Sequence, residues 1–314
     1  MTEKRDKMII TIIIPYFNTL DSTLELLNSI PNNPNIEIII VDDKSEIKID
    51  ESLLRIFPDR RIIYLENKTN KKGAGTCRNI GIRNASGKWI IFADSDDLFV
   101  QDFYDLIEVY FSINYDVVFF PPTSKNFSIN KISTRHIYYT EILKDYKNNC
   151  KFKNEIKIRY QFYGPWSKLI RREFLVRNSI YFDEVIASND ILMSAKIGYY
   201  MEKFAISDDT IYSITRRGGS LTTNFSLEIF QSRFTAFINY SNFLKKRLSK
   251  KELRIINLNG FSFIVNSVKY KFGIRCSLRI MKILIVNHIS IFNMKIFNPY
   301  LLYIHLKKGK NIVN

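Results

Sequence analysis

The chain has 314 residues, a hydrophobic fraction of 46% and a formal net charge of +16. That hydrophobic fraction is too high for a wholly disordered chain, and the length suffices for one large domain with an appendage. The three cysteines, Cys77, Cys150 and Cys276, show no paired metal-binding spacing, which argues against a zinc site and a disulfide framework. Because no stretch of about 20 uncharged apolar residues is present, we expect no transmembrane helix.

The first third of the chain alternates apolar runs with segments of helical spacing. In chain order the runs are Ile9–Pro15, Ile36–Val41, Arg60–Leu65 and the stretch that begins at Trp89. Between the first two runs, apolar side chains recur at helical spacing, at Leu20, Leu24, Leu27 and Ile30. Continuous apolar runs are typical of strands covered on both faces, and their alternation with helices favours right-handed βαβ units. We therefore expect an α/β fold with a mainly parallel sheet flanked by helices.

Two of these runs end in carboxylates. Asp42 and Asp43 follow the second run, and the stretch WIIFADSDD leads directly into Asp94, Asp96 and Asp97. Ligands of open α/β sheets bind at the carboxyl ends of the strands. Carboxylates this close repel one another unless a cation or hydrogen-bond donors compensate their charge, and hard divalent cations prefer oxygen ligands. The pattern predicts a site for a metal–diphosphate ligand; a solvated acidic turn is the alternative.

The rest of the chain divides by composition. Pro121 and Pro122 mark a break, residues 123–154 are interpreted as a polar, loop-like excursion with some helix, and residues 163–217 form the segment that follows it. From Ser226 the apolar side chains recur at helical spacing, and this region is rich in Lys and Arg. We expect a first domain over residues 1–224 and a helical, basic C-terminal region over residues 225–314.

Several motifs together resemble a known family. IIIPYFN, IIIVDDKS and GAGTCRNIGIRNASGKWIIFADSDD resemble, in order and spacing, an inverting family-2 glycosyltransferase with the GT-A nucleotide-sugar fold, over roughly Met8–Leu98. A second block, GPWSKLIRREFLVRNSIYFDE followed by ASNDILMSAKIGYY, is similar to the family's acceptor half. The resemblance implies that residues 1–224 form a GT-A catalytic domain with a Rossmann-like sheet. Residues 8–121 would be its nucleotide-binding half and residues 122–224 its acceptor half.

The resemblance implies a place for the nucleotide base. Phe17 would stack on a uracil ring, with Pro15 shaping the turn, and a core phenylalanine is the alternative. Asp43 would accept the uracil N3–H and Asp42 would steady the loop, unless the two residues exchange these roles. The expected donor is a UDP-linked sugar.

The diphosphate and metal site follows from the same resemblance. Asp94 would bond the ribose, Ser95 would lie beside it among the donor contacts, and Asp96 would bind Mn²⁺ or Mg²⁺ between the phosphates. Asp97 would share the metal or support its ligand. Arg78 follows glycines that open a predicted helix, and it would contact the nucleotide or hold the acidic loop in place.

An inverting transfer also needs a base that deprotonates the acceptor hydroxyl. Asp190, in SND, occupies the position where the family usually shows Glu-Asp, and Asn189 replaces the acid that normally precedes it. We assign Asp190 as the base; the alternative is an N-cap for the helix that follows, with Asp183 and Glu184 as the nearest rivals.

Four further residues are candidates for acceptor or diphosphate contacts. Trp166 and Lys168 match the family's Trp-x-Lys, and they would line the acceptor pocket or support the sheet. Arg216 and Arg217, in RRGGS, suit a basic loop that closes on the diphosphate, and an exposed turn has the same composition.

The C-terminal region has two interpretations. Its apolar helical faces flanked by basic residues would lie on an anionic membrane surface, or it packs as an ordinary helical domain with solvated charges. No nucleic-acid-binding module is present in the sequence, so we expect no nucleic acid partner.

The resulting hypothesis is a metal-dependent inverting transferase that moves a sugar from a nucleotide-diphosphate donor to a glycan or lipid-linked acceptor. The resemblance places it in bacterial capsule or lipooligosaccharide assembly, in the cytoplasm and peripheral on the inner face of the membrane. Two alternatives are a catalytically degenerate nucleotide-sugar-binding module and a nucleotidyltransferase. The second would carry a Gly-rich basic loop after the first strand, where this chain has PYFNT.

Overall fold

The structure is a computed structural model that describes residues 9–126, 131–132, 134, 136–216 and 226–291. The chain forms two compact units, Met1–Gly218 and Gly219–Asn314. The domain boundary predicted after residue 224 falls within 217–225, outside the described residues.

The first unit is an α/β structure with two sheets. Its strands are β1 (Ile10–Tyr16), β2 (Ile36–Asp42), β3 (Arg61–Glu66), β4 (Trp89–Phe92), β5 (Leu98–Phe99), β6 (Val117–Phe119), β7 (Thr123–Asn126), β8 (Lys131–Ile132), β9 (Lys168–Arg171), β10 (Phe204–Ile206) and β11 (Tyr212–Arg216). The large sheet has the order β10-β6-β9-β4-β1-β2-β3, and the small sheet has the order β5-β11-β7-β8. Among the described strands of the large sheet, β9 alone runs antiparallel to its neighbours, β4 and β6. The expectation of a mainly parallel sheet is confirmed.

Helices cover the strands of this unit. They are α1 (Leu20–Ser29), α2 (Glu51–Leu54), α3 (Ala74–Asn84), α4 (Phe103–Glu108), α5 (Ile137–Asn148), α6 (Phe152–Gln161), α7 (Arg172–Arg177) and α8 (Asp190–Tyr200). Every residue of β1, β2 and β4 is buried, as the continuous apolar runs predict for strands covered on both faces.

One carboxylate lies within this apolar core. Glu37 of β2 is 0% exposed. Its oxygens accept hydrogen bonds from Thr11 Oγ1 at 2.7 Å and from the backbone N–H and Oγ of Ser86 at 2.8 and 2.6 Å. The buried charge is therefore satisfied, and it joins β1 to the turn that precedes β4.

The expectation of some helix within residues 123–154 is confirmed, but the loop-like interpretation of much of this segment is wrong. This segment contains β7, β8, α5 and the start of α6, and β7 pairs in parallel with β11. The apolar pattern is sparse because only a few side chains per element are buried, such as Ile142 and Leu143 in α5. Most other positions of this segment are Lys, Asn or Tyr, so the apolar side chains show no clear helical spacing in the sequence.

The second unit is helical, as predicted. It contains α9 (Leu227–Lys245), α10 (Lys250–Ile256), α11 (Phe261–Lys269) and α12 (Ile274–Val286). A cluster of buried side chains forms its core. The cluster comes from α9, α12 and the segment just after α12: Phe230, Phe234, Ile280, Leu284 and Ile289. Ser249 begins α10 with a capping box that Glu252 completes. Among the described residues, no helix is long and apolar enough to cross a membrane.

Candidate active site

The carboxyl ends of β1, β2 and β4 lie side by side, and the loops that follow them form the candidate site. β1 pairs with β2 on one side and with β4 on the other, so their ends meet at one edge. The Thr19 hydroxyl lies 2.8 Å from the Ser95 hydroxyl, which joins the loop after β1 to the loop after β4. Asn18 joins it to the loop after β2, because its Oδ1 accepts the Glu46 N–H at 2.9 Å. The tertiary structure thus gathers the predicted donor residues.

The first of these loops presents an aromatic ring to solvent. Phe17 is 53% exposed, whereas Pro15 is buried inside β1. The alternative that Phe17 is a core residue is therefore wrong. An exposed ring beside a polar strand edge offers a face on which a base can stack, and that contact stays a prediction.

The two aspartates after β2 have different environments. Asp42 is 1% exposed, and its oxygens accept hydrogen bonds from the Ser45 N–H and the Tyr64 hydroxyl, both at 2.9 Å. Asp43 is 9% exposed and accepts from Asn67 Nδ2 at 2.7 Å and from the Gly73 N–H at 2.6 Å. Asp43 is the more accessible of the two. Which of them contacts a base stays a prediction.

Gly73 shows why the start of α3 needs glycine. Its φ of +115° is in the region that side chains avoid, and an added Cβ would lie 2.9 Å from the Val185 carbonyl oxygen. An added Cβ on Gly75 would meet the Asp183 carbonyl oxygen and the Asn189 side chain. The two glycines thus let α3 approach the segment that leads into α8.

Because α3 lies close to the segment before α8, the Arg78 side chain can join the acidic loop to the acceptor half. Its Nη2 forms an ion pair with Asp94, and its Nη1 donates to Asn189 Oδ1 at 2.9 Å. The guanidinium carbon lies 5.1 Å from the centre of the Phe182 ring, and the side chain is 6% exposed. Arg78 therefore holds the acidic loop, which was one of its two predicted roles; a nucleotide contact stays a prediction.

The carboxylates of the acidic loop divide into outward and inward groups. Asp94 and Asp96 are partly exposed, whereas Asp97 is 2% exposed. Asp97 accepts the Thr215 N–H at 2.6 Å and a hydrogen bond from the Tyr212 hydroxyl. Burial raises the pKa of Asp97 well above its usual value, and the nearby charges of Asp94 and Asp96 raise it further. This environment gives Asp97 a supporting place, and its predicted metal ligation stays untested.

The chemistry of this donor set fits a divalent cation that phosphate helps to hold. Among the described residues, no three His, Cys, Asp or Glu side chains are grouped closely enough to hold a metal by themselves. Asp96, partly exposed at the edge of the sheet, is an oxygen ligand of the kind that Mg²⁺ and Mn²⁺ take together with phosphates and water. Besides burial, which is the main cause of the raised pKa of Asp97, the charges of Asp94 and Asp96 contribute to it, and a bound cation would relieve that repulsion.

Asp190 is the first residue of α8 and lies beside the Arg78 bridge. The N-cap position belongs to Asn189, so the alternative in which Asp190 caps the helix is wrong. Burial raises the pKa of Asp190, the Asp94 charge raises it further, and Arg78 and Lys168 lower it. A carboxylate with a raised pKa is a stronger base than an exposed one, as proton abstraction requires.

Of the two rivals of Asp190, Glu184 is less suited to act as a base. Glu184 forms an ion pair with Lys71 at 2.7 Å, and this contact lowers the pKa of Glu184. The Asp183 backbone N–H donates to the Asn189 carbonyl at 3.2 Å, which places Asp183 in the turn before α8.

Trp166 and Lys168 pack inside the acceptor half. The Trp166 ring stacks on Tyr212 with centroids 6.1 Å apart, and it is 6% exposed. Lys168 is 1% exposed, and its Nζ donates to the Phe162 carbonyl at 2.9 Å and to Ser194 Oγ at 3.3 Å. Burial lowers the pKa of Lys168 to about 7. Both side chains support the sheet; an acceptor contact stays a prediction.

Sequence reasoning missed the contribution of β11. The Tyr212 hydroxyl accepts the Asp94 N–H at 2.8 Å, and Thr215 Oγ1 donates to the Asp96 carbonyl. The strand YSITR has no motif that marks these roles. Of the predicted basic loop, Arg216 ends β11, and Arg217 lies outside the described residues.

A mainly parallel sheet with an acidic loop at its carboxyl edge matches the GT-A class of nucleotide-sugar folds. Consistent with that class, the structure resembles S. aureus TarS in complex with UDP, with a TM-score of 0.62 and 18% identity over 98% of this chain and 89% of that one. It also resembles the mannosyltransferase PcManGT of Pyrobaculum calidifontis in complex with GDP-Man and Mn²⁺, with a TM-score of 0.55 and 15% identity over 88% and 75% of the two chains.

The sequence belongs to glycosyl transferase family 2, whose match covers residues 11–176, more than half of the chain. An uncharacterized glycosyltransferase of Rickettsia conorii is 42% identical over 95 residues, which are 30% of this chain and 15% of that protein. Glycosyltransferase GlyA of Streptococcus pneumoniae is 26% identical over 274 residues, 80% of this chain and 38% of that protein. The chain thus spans less than half the length of these two relatives.

Proposed function

We propose that this protein transfers a sugar from a UDP-linked donor to a hydroxyl group, with inversion at the anomeric carbon. The observation that carries the proposal is the Arg78 bridge. It ties Asp94, in the loop expected to hold the donor, to Asn189, which is adjacent to Asp190. A donor site and a general base in one connected network are what a single-step displacement needs. Membership of glycosyl transferase family 2 and the UDP bound by a TarS structure support this choice.

In the proposed reaction, Asp190 accepts the proton of the acceptor hydroxyl. The acceptor oxygen forms a bond to the anomeric carbon as the bond from that carbon to the diphosphate oxygen breaks, and UDP leaves with the bonding electron pair. Phe17 stacks on the uracil, and Asp43 accepts its N3–H. Asp94 bonds the ribose, with Ser95 beside it. When bound to Asp96, Mn²⁺ or Mg²⁺ stabilises the negative charge on the departing diphosphate.

The proposed acceptor is a glycan or a lipid-linked glycan in bacterial capsule or lipooligosaccharide synthesis. We place the protein in the cytoplasm, peripheral on the inner face of the membrane. The bacterial glycosyltransferases to which it is similar support this setting.

A degenerate binding module without turnover is the second candidate. The observation that favours it is Asn189, which stands where the family usually shows an acid and whose amide oxygen is already bonded to Arg78. Such a module would bind the donor nucleotide and transfer nothing.

Calorimetric titration with UDP, GDP and CDP, each with and without Mn²⁺, tests the donor site. We expect UDP to bind in a metal-dependent manner and Asp96→Ala to abolish that dependence. Asp59→Asn, an exposed aspartate in the turn before β3, is the control and should bind UDP as the wild type does. Failure of all three nucleotides to bind would reject the proposal. Binding without release of UDP from a UDP-sugar in the presence of acceptor glycans would favour the degenerate module.

A further inference from the structure

The outer surface of α12, in the second unit, has two adjacent rows of exposed side chains that are not part of the hydrophobic core of this unit. The inward row consists of Ser277, Ile280 and Leu284, all buried. The first outward row is aliphatic: Ile274, Leu278 and Ile285 are 72%, 56% and 59% exposed. Their spacing of four and then seven residues places them on one face of the helix.

The second outward row is basic. Arg275, Arg279 and Lys282 are exposed and recur at spacings of four and three residues, so they form a line beside the aliphatic row. The end of α11 and the turn that follows it carry the same kinds of exposed side chain: Val268, which is 65% exposed, Lys269 and Lys271.

Contacts at both ends of α12 fix its orientation within the second unit. The Ser267 and Ser277 hydroxyls lie 2.8 Å apart and join α11 to α12 in a buried contact. At the other end, Asn242 Nδ2 of α9 donates to Asn287 Oδ1 at 2.7 Å, and Lys245 donates to the Asn287 carbonyl. An added Cβ on Gly260 would collide with the Leu284 side chain, so the close packing of the inward row needs that glycine. The two outward rows therefore face away from the core of this unit.

The charge of this region identifies the chemistry of its partner. Residues 253–314 include no Asp or Glu, and among the described residues no salt bridge involves Arg275, Arg279 or Lys282. Moving exposed aliphatic side chains of this size out of water is favourable, and the neighbouring Lys and Arg are attracted to an anionic surface. A lipid bilayer with anionic headgroups supplies both, because the acyl boundary takes the aliphatic row and the headgroups take the basic row.

Two other partners fit less well. Single-stranded nucleic acid is bound through aromatic rings that stack on bases, and the exposed row is aliphatic. A second copy of the same surface would set one basic row against another.

We propose that the outward face of α12, formed by Ile274, Leu278 and Ile285 beside Arg275, Arg279 and Lys282, docks the protein on an anionic lipid surface. The helix would lie in the plane of the interface, with the aliphatic row inserted and the basic row against the headgroups. The inference rests on the peripheral membrane location proposed above and names the surface responsible for it, but it does not depend on glycosyl transfer.

Flotation of the full chain with phosphatidylcholine vesicles, with and without phosphatidylglycerol, tests the proposal. We expect binding only to the anionic vesicles and its loss at high salt. Arg275→Gln/Arg279→Gln/Lys282→Gln should weaken binding on the order of a hundredfold, since each basic residue near the surface contributes about 1 kcal/mol. Leu278→Gln/Ile285→Gln should weaken it at least about tenfold.

Ile56→Gln/Val109→Gln is the matched control, because these aliphatic residues of the first unit are 59% and 63% exposed. It should bind vesicles as the wild type does. A Leu278→Trp variant should shift its fluorescence to shorter wavelength on anionic vesicles, and Ile56→Trp should not.

Absence of wild-type binding to anionic vesicles would overturn the proposal, as would equal binding by the wild type and both α12 variants. If the α12 substitutions instead abolish binding to single-stranded nucleic acid, or turn an oligomer into a monomer in sedimentation, without any vesicle binding, this face serves that other partner and the proposal is wrong.

Discussion

The donor edge and the acceptor half of the first unit reach their functional arrangement by different routes. At the donor edge, the chemistry lies within a few residues of a strand end: Phe17 after β1, Asp43 after β2 and Asp94 after β4. In the acceptor half, the pKa of Asp190 depends on side chains from distant segments, namely Arg78 on α3 and Lys168 on β9. The donor edge is thus a local consequence of strand order, whereas the acceptor half is a product of long-range contacts.

This difference predicts different consequences of mutation. At the donor edge, a substitution should change the binding of one ligand group and leave the fold intact. In the acceptor half, it should change the charge state of Asp190 or the stability of the unit, because Arg78 and Lys168 are buried and hydrogen-bonded to other groups.

Asp190→Asn should have the largest effect and would test the proposed base directly. We expect kcat to fall by about 10²–10⁴-fold, because an amide cannot accept the acceptor proton, while the Kd for UDP stays unchanged. Initial rates and calorimetry on the same preparation measure both quantities. Full activity of the variant would show that Asp190 is not the base.

Arg78→Met tests whether the bridge joins the two regions. We expect a loss of about 3 kcal/mol in the free energy of unfolding, because Asp94 and Asn189 lose a charged partner. Arg78 also lowers the pKa of Asp190, so the decline in activity at acidic pH should move to higher pH in the variant. Denaturant unfolding and a pH–rate profile measure the two effects.

Arg83→Met is the control for this prediction. Arg83 lies on the same helix but is exposed, with its guanidinium carbon 5.3 Å from the centre of the Tyr181 ring. It should leave the pH–rate profile unchanged. An identical profile for Arg78→Met and the wild type would mean that the bridge does not influence the base.

Lys168→Met tests the cost of burying an amine. The pKa of Lys168 is about 7 in the folded protein and near the usual 10.5 when unfolded. Between these values the unfolded state binds one more proton, so the free energy of unfolding contributed by this site rises with pH from about 7 to 10 and is constant below 7. The slope is about 1.4 kcal/mol per pH unit.

We therefore expect wild-type stability, relative to that of Lys168→Met, to increase from pH 7 to pH 10. Denaturant unfolding of both proteins across this range measures the difference. Lys153→Met, at an exposed lysine in α6, should show the same pH dependence of the free energy of unfolding as the wild type. A constant difference between the wild type and Lys168→Met would show that the amine keeps an ordinary pKa.

Phe17→Ala should have the smallest effect and tests the donor edge. We expect the Kd for UDP to rise about tenfold, since base stacking contributes about 1–3 kcal/mol, with no change in the free energy of unfolding. Phe152→Ala is the exposure-matched control, because Phe152 is 45% exposed on α6. Weaker UDP binding by both variants, or by neither, would count against stacking at Phe17.

Much of the fold was predictable from local patterns. Continuous apolar runs predict the first four strands of the large sheet, β1 to β4. The residues that terminate two of these runs predict the acidic ends of β2 and β4. The segment 123–154 was not predictable, because its buried side chains are too few to show a period above the surrounding Lys and Asn. The different environments of Asp42 and Asp43 were not predictable either, because their hydrogen-bond donors, Tyr64 and Gly73, lie on other segments of the chain.

By itself the sequence determined an α/β sheet with carboxylates at one edge, because hydrophobic periodicity and strand-ending residues act over short stretches of chain. Only the tertiary structure decided the states of the individual side chains. Asp97 faces inward because Thr215, far along the chain, donates to it, and Arg78 reaches Asn189 because glycines let α3 approach α8. Burial, charge and hydrogen bonding at these positions depend on which segments pack together, and no local pattern encodes that.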